Sequence, residues 1–155
     1  YSAKVMLRDL GIVNAVSWNY WLSVSTYDYE DGLVYWDGAD EISVTKRYYT
    51  MGQFTRYIPQ GSVRIRSDYN DSFDFNGVDC VAFKRPDGSI VLVVINDSGR
   101  DKDIKIKGGY ENIKEIVTAQ DKNWVTAEYN YDGYITVPAK SVATYIMTQP
   151  LSEEE

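Results

Sequence analysis

The stretch NAVSWNYWLSVSTYDYEDG, Asn14–Gly32, decides how the rest of the chain is read. It holds two of the four tryptophans, Trp18 and Trp21, and the tyrosines Tyr20, Tyr27 and Tyr29. Its first part predicts a strand over residues 12–22. Val13, Ala15 and Ser17 would fall on one face and Asn14, Val16 and Trp18 on the other, because side chains alternate along a strand. Small residues give way to large flat ones toward the C-terminal end, which then runs into an aromatic and acidic loop. Such rings suit stacking on the C–H face of a sugar. They equally suit packing, since large aromatics dominate cores and interfaces.

Upstream, residues 2–10 predict a helix with Val5, Met6 and Leu10 apolar and Lys4, Arg8 and Asp9 polar. Gly11 is placed to end it, because glycine enters the left-handed region without penalty. Tyr1 reads as if entered in mid-element, as in a piece of a longer precursor. Downstream, residues 23–44 form a loop that carries Asp28, Glu30, Asp31, Asp37, Asp40 and Glu41. Its centre, Gly32–Trp36, has the makings of a short strand. Thr45 is placed as the N-cap of a second helix over 46–58. There Tyr48, Met51, Phe54 or Thr55, and Ile58 recur at helical spacing. Gly52 costs about 1 kcal/mol against alanine in such a helix; it is either tolerated or marks a close approach to a neighbour. Pro59 and Gly61 end the helix.

After Gly61 the pattern changes to period two. Segments 62–67, 78–84, 90–95, 103–107, 113–119, 124–131, 134–137 and 142–147 alternate or run apolar between turn signals such as Pro86-Asp87-Gly88 and Asp132-Gly133. The continuous apolar run Ile90–Ile95 predicts a central strand covered on both faces. Eight short strands at regular spacing predict an antiparallel sandwich. The fold class is therefore mainly β: an antiparallel β-sandwich side domain preceded by the last α/β segment of a TIM barrel. The expected division is 1–61 as the closing α/β segment of a barrel, 62–150 as the sandwich, and 151–155 as an acidic tail. Sixty residues cannot close a barrel alone, since a full one takes roughly 250.

Composition narrows the function. The chain has 155 residues, a net charge of −7 and no histidine. Nucleic-acid binding rests on Lys and Arg neutralising phosphates, so a net acidic chain argues against it and against an anionic membrane surface. A Ser-His-Asp or Cys-His site and a His-ligated metal are excluded within these residues. The single cysteine, Cys80, permits no intrachain disulfide and reads as a buried inert thiol among Val78, Val81 and Ala82. No run reaches the roughly 18 apolar residues of a membrane span.

Several segments together resemble one family. SWNYWLSVSTYDYEDGLVYWD followed by TKRYYTMGQFTRYIPQGSVRI is similar to the C-terminal region of glycoside hydrolase family 30, and most of all to its endo-β-1,6-galactanase branch. The carriers are a W-x-Y-W strand, a YDY-x-DGL loop, a K-R-x-x-x-x-G-x-[FY]-[ST]-[RK]-[FY]-I helix and a G-x-[VI]-R-I strand. AFKRPDGSIVLVVIND and VPAKSVATYIM also resemble the side domain of that family. Pro59-Gln60-Gly61 departs from the R-P-G run seen more often in relatives. The resemblance implies a retaining glycosidase with two glutamates about 5 Å apart, set at the ends of barrel strands four and seven and upstream of Tyr1. It implies that residues 1–61 are the closing segment of a (β/α)8 barrel (helix 7 in part, strand 8, helix 8) and 62–150 its side domain, with no catalytic residue within 1–155, no cofactor and no metal. The partners it implies are a polysaccharide or oligosaccharide and an N-terminal barrel of the same protein. It also implies an extracellular or periplasmic bacterial location.

For this chain the resemblance assigns one wall of the cleft, at the C-terminal ends of the strands where barrel sites lie. Trp18 and Tyr20 are the first substrate-binding candidates; Trp21 and Tyr27 come next, because alternation points only one face into a cleft. Glu30 and Glu41 read as loop carboxylates on a solvated face. Asp28, Asp31, Asp37 and Asp40 lack the spacing of a calcium loop. Trp124, Tyr129 and Tyr131, with Tyr134, form a possible second glycan platform or else cross-strand pairs stabilising the sheet, each worth roughly 0.2–1 kcal/mol. Two readings stand beside the hydrolase fragment: a carbohydrate-binding β-sandwich module without hydrolytic activity, and an adhesive β-domain.

Overall fold

A computed structural model describes residues 1–26, 29–38, 40–67 and 77–148. The candidate Tyr27 and the acidic tail 151–155 lie outside the described residues. The chain begins with helix α1, Ser2–Gly11. Three short strands follow, β1 Val24–Ser25, β2 Val34–Trp36 and β3 Ile42–Val44, then helix α2, Lys46–Thr55. Eight further strands complete the described chain: β4 Val63–Ile65, β5 Val78–Lys84, β6 Ile90–Asn96, β7 Lys102–Lys105, β8 Asn112–Thr118, β9 Val125–Asn130, β10 Tyr134–Val137 and β11 Ser141–Thr148.

Six of these make one antiparallel sheet in the order β4-β5-β6-β11-β8-β9, and β10 pairs with β7 in a second, two-stranded sheet. The period-two pattern decides which side chain goes where. From β6, Leu92 and Val94 face the two-stranded sheet, with Ile104, Ile135, Val137 and Tyr145. Val91, Val93 and Ile95 face the helices, packing with Met6, Leu7 and Phe54. The large sheet is thus covered on both sides. This explains why its middle strands β6 and β11 read as near-continuous apolar runs.

The two helices hold to that sheet differently. α1 lays Ala3, Met6 and Leu7 on it. α2 adds a buried polar anchor: the Gln53 amide accepts from the Thr118 N–H (3.1 Å) and hydroxyl (2.7 Å) and donates to the Ile116 carbonyl (3.3 Å) and the Thr144 hydroxyl (2.6 Å). Every polar atom of a fully buried amide is thereby satisfied, as burial requires. Thr45 caps α2 as the sequence predicts, its hydroxyl accepting from Tyr48 N–H. The helix stops at Thr55, short of the predicted Ile58, and Arg56–Ile58 continue as turns. Cys80 is half-buried and packs at the edge of the inner core.

Two expectations fail. Residues 12–22 form no strand. A strand exists only as a member of a ladder, and no described strand lies alongside this segment. Among the described residues, no backbone hydrogen bond joins residues 16–21 to another backbone group. The region 23–44 is also more than a loop: β1 pairs in parallel with β2, and β2 antiparallel with β3. Gly32 makes this possible, since a Cβ there would lie 2.8 Å from Ser25 N and from the Val34 carbonyl oxygen.

Burial divides the chain sharply. Of the large apolar side chains that stay exposed among the described residues, most come from the first 48: Ile12, Val13, Val16, Trp21, Tyr29 and Ile42 are examples, and Val16 is fully exposed at 103%. In the middle of the β6 and β11 pair, Val91, Val93, Val94, Ala143, Thr144 and Tyr145 are at 0%.

Candidate functional site

The first candidate site is the aromatic segment that leads from α1 into the small sheet. Trp18 is half-buried. Its indole N–H donates to Asp9 Oδ2 at 2.9 Å, which ties the segment back to the last turn of α1. Its ring sits 6.3 Å from that of Tyr20, tilted by 36°. It also edges an apolar groove of about 740 Å³, bounded by Leu10, Val16, Ile58 and Val63.

Tyr20 is held at its hydroxyl. It donates to the Asp31 carbonyl at 3.1 Å and accepts from the Arg47 guanidinium. Arg47 also lies 5.6 Å from the Tyr20 ring centroid, a cation–π distance. With both hydroxyl functions taken, what Tyr20 has left to offer a ligand is ring surface. Arg47 further donates to the Glu30 carbonyl at 2.9 Å and to the Tyr35 hydroxyl at 3.4 Å. The hydrogen bond to Tyr20 is the main reason the guanidinium is held above its ordinary value, so its charge is permanent.

Trp21 is 83% exposed. The structure therefore brings Trp18 and Tyr20 together and leaves Trp21 apart. The carboxylates nearby serve as acceptors: Asp9 for Trp18, and Asp31 for the Ser25 hydroxyl at 2.6 Å. Glu30 contributes its carbonyl, and Glu41 lies exposed. The arrangement can present flat apolar rings to a ligand.

Sequence reasoning missed Arg47 and Asp9, the two residues that fix this segment. The Lys-Arg pair after the Thr45 cap was the available signal for Arg47, because a guanidinium readily stacks on and donates to a neighbouring aromatic residue.

The second candidate platform does not assemble. Trp124 precedes β9 in a left-handed backbone conformation, φ 52°, and packs on α2. Its indole N–H donates to the Tyr49 carbonyl at 2.8 Å and its ring lies 4.9 Å from Tyr49. Arg56 lies 4.4 Å from the ring centroid. Tyr131 is spent on structure: its one hydroxyl proton lies within reach of both the Ile106 carbonyl (2.7 Å) and the Gly133 carbonyl (2.6 Å), and its oxygen accepts from Ile106 N–H (2.9 Å). Tyr129 packs on the opposite face of the sheet from Trp124, against the inner core. The left-handed turn at Trp124, just before β9 begins at Val125, takes its ring out of the strand's alternation and onto α2.

Tyr129 instead lines an open groove of about 670 Å³ with Tyr134, Thr136, Asp103, Glu115 and Asp132. Burial, reinforced by Glu115, pushes the Tyr129 phenol up to about 12. Burial also raises Glu115, which the Tyr145 hydroxyl partly offsets.

A family model described as "Glycosyl hydrolase family 30 beta sandwich domain" matches residues 61–145. A second, "O-Glycosyl hydrolase family 30", matches residues 1–35. The chain is similar to the lysosomal acid glucosylceramidase of Mus musculus, 41% identical over 59 residues, which is 38% of this chain and 11% of that protein. Among solved structures, a conserved exported protein from Bacteroides fragilis superposes with TM-score 0.82 at 26% identity, over 94% of this chain and 32% of that one. The catalytic domain of a xylanase C of the same family, from Talaromyces cellulolyticus, superposes with TM-score 0.83 at 23% identity, over 95% and 34%. The chain thus spans about a third of the solved relatives and about a tenth of the curated one. It belongs to glycosyl hydrolase family 30 and carries that family's β-sandwich domain.

Proposed function

We propose that residues 1–155 are the C-terminal part of a retaining, endo-acting glycoside hydrolase acting on β-1,6-galactan or a related polysaccharide. In this reading residues 1–61 are the last helix, strand and helix of a (β/α)8 barrel. Residues 62–150 are a side domain that breaks no bond. The catalytic glutamate pair belongs to barrel strands outside 1–155. Trp18 and Tyr20 line one wall of the cleft, with Trp21 and Tyr27 at its margin.

One observation carries this reading. In the segment 12–22, whose pattern is that of a strand, residues 16–21 have no backbone partner among the described residues, and Ile12, Val13, Val16 and Trp21 are all exposed. An apolar surface of that extent marks an interface, and two flanking barrel strands are what a parallel strand needs. Secretion fits the reading, since one neighbour is an exported bacterial protein.

The test compares two proteins on β-1,6-galactan. The chain joined to its barrel is expected to cleave with retention of anomeric configuration, and residues 1–155 alone to be inert. Hydrolysis by 1–155 alone would overturn the reading.

A second reading rests on the groove of Tyr129 and Tyr134, where rings and carboxylates could take sugar faces and hydroxyls. There the sandwich itself binds glycan. Binding to a glycan array that is lost in Tyr134→Ala would support it.

A further inference from the structure

The turn between β8 and β9 grips α2 at two points, and α2 in turn holds the aromatic wall. The turn is closed by reciprocal backbone bonds, Ala119 N–H to the Lys122 carbonyl (3.0 Å) and Lys122 N–H to the Ala119 carbonyl (3.3 Å). Into it reaches Lys46 from the first turn of α2. Its ammonium donates to the Ala119 carbonyl (2.8 Å), the Lys122 carbonyl (3.1 Å) and the Asn123 side-chain oxygen. An ammonium has three protons to donate, so all of them are committed to one turn.

The second grip is Trp124. A Cβ on Gly52 would lie 2.1 Å from Trp124 Cζ2 and 2.8 Å from Cε2, so helix and indole are in direct contact and only glycine fits between. A bulky residue at φ 52° is an outlier, and such strain persists where the surroundings over-determine it. Here the Tyr49 carbonyl and the Arg56 guanidinium do so.

Arg47 follows Lys46 directly and reaches the other way, to Tyr20, Glu30 and Tyr35. Thr45, just before, bonds the Leu33 carbonyl through its hydroxyl at 2.7 Å. Three consecutive residues thus join the turn to the wall. The helix itself is pinned at Gln53, so a shift of its N-terminal turn has to be taken up by Arg47 and Thr45.

We propose that the β8–β9 turn, through Lys46 and Trp124, is a positioning device for the sugar-facing wall, setting Arg47 and thereby the ring of Tyr20. Lys46, Gly52 and Trp124 are positioning residues that touch no ligand. The proposal deepens the reading of Trp18 and Tyr20 as a cleft wall and rests on it for its functional meaning. Its physical content, the coupling of turn to wall, stands apart from that reading.

The experiment is hydrogen exchange on the 155-residue chain, native and as Lys46→Met, Gly52→Ala and Trp124→Phe. The reporters are the Leu33 and Val34 amides, which bond to the Leu22 and Ser23 carbonyls beside Tyr20. In Lys46→Met and Gly52→Ala they are expected to exchange about tenfold faster, as for the loss of one or two hydrogen bonds. The amides of β5, β6 and β11 stay as they were. Trp124→Phe, which keeps a ring over Gly52 but loses the N–H, falls between. Equal rates at the reporters in Lys46→Met would overturn the coupling, and so would acceleration spread evenly over the sandwich. If Gly52→Ala does not fold, Lys46→Met decides alone.

In the barrel-containing protein the same Lys46→Met is expected to raise KM for oligosaccharide several-fold with kcat little changed. Absence of any glycan hydrolysis there would count against the cleft reading and leave the exchange result to judge the coupling.

Discussion

Ile90–Asn96 and the segment 12–22 both have the sequence pattern of a strand, and only the first is one. β6 has β5 on one side and β11 on the other, with every residue from Ile90 to Asn96 in register. The segment 12–22 has comparable β-formers in Ile12, Val13 and Val16, yet among the described residues its stretch 16–21 has no backbone partner. A strand is a property of its neighbours more than of its own residues, which is why β-propensity varies so much with context. The same contrast holds at the level of side chains. Val93 is at 0% exposure and Val16 at 103%.

The comparison is open to being broken. Val93→Asp puts an unpaired carboxylate where no water reaches, at a cost of about 4 kcal/mol or more. Since a domain's stability is about 5–15 kcal/mol, urea denaturation should find the chain largely unfolded or close to it. Gln53→Ala removes the side-chain partner of the Thr118 N–H and hydroxyl and of the Ile116 carbonyl, while the Thr144 hydroxyl keeps its bond to the backbone carbonyl of residue 53. About 2–3 kcal/mol should be lost, read as a lower urea midpoint with the slope unchanged.

Val16→Asp should change the stability of the 155-residue chain by no more than about 0.5 kcal/mol, as at ordinary surface positions. In the barrel-containing protein the same substitution should impair folding. A large loss in the short chain would mean that the segment is already docked there.

The smallest effect is electrostatic. Burial, acting against Tyr145 and Lys122, raises the folded Glu115 above its ordinary value near 4.5. The folded state then binds more protons than the unfolded one between those two values, so stability falls as pH rises through that window. Glu115→Gln should abolish this fall. The variant should match the native chain at pH 4 and melt slightly higher at pH 8, as a thermal scan at the two pH values would record.

The sandwich was legible in the sequence because its information is local. Alternation and turns such as Pro86-Asp87-Gly88 mark all eight strands, and the bounds of β5 and β10 coincide with those read from the pattern. Thr45 was legible as a cap; Gly52 was legible only as either a tolerated glycine or a close approach, and the Trp124 ring beside it decides for the second. The small sheet was not legible beyond β2, because strands of two or three residues carry no period. Trp124 was misplaced because residues 124–131 were treated as one strand, whereas the tryptophan sits in the turn before β9. The wall at Trp18 and Tyr20 was legible as aromatic residues and not as an arrangement, because Asp9 and Arg47, which fix it, lie on the flanking helices.

The account depends most on residues 16–21 becoming a strand once barrel neighbours are present. Amide hydrogen exchange of these residues tests this directly, measured in the 155-residue chain and again in the chain extended by its barrel. The account predicts near-unprotected amides in the first and protection greater by about a thousandfold or more in the second, approaching that of β6. Equal exchange in the two proteins would contradict it.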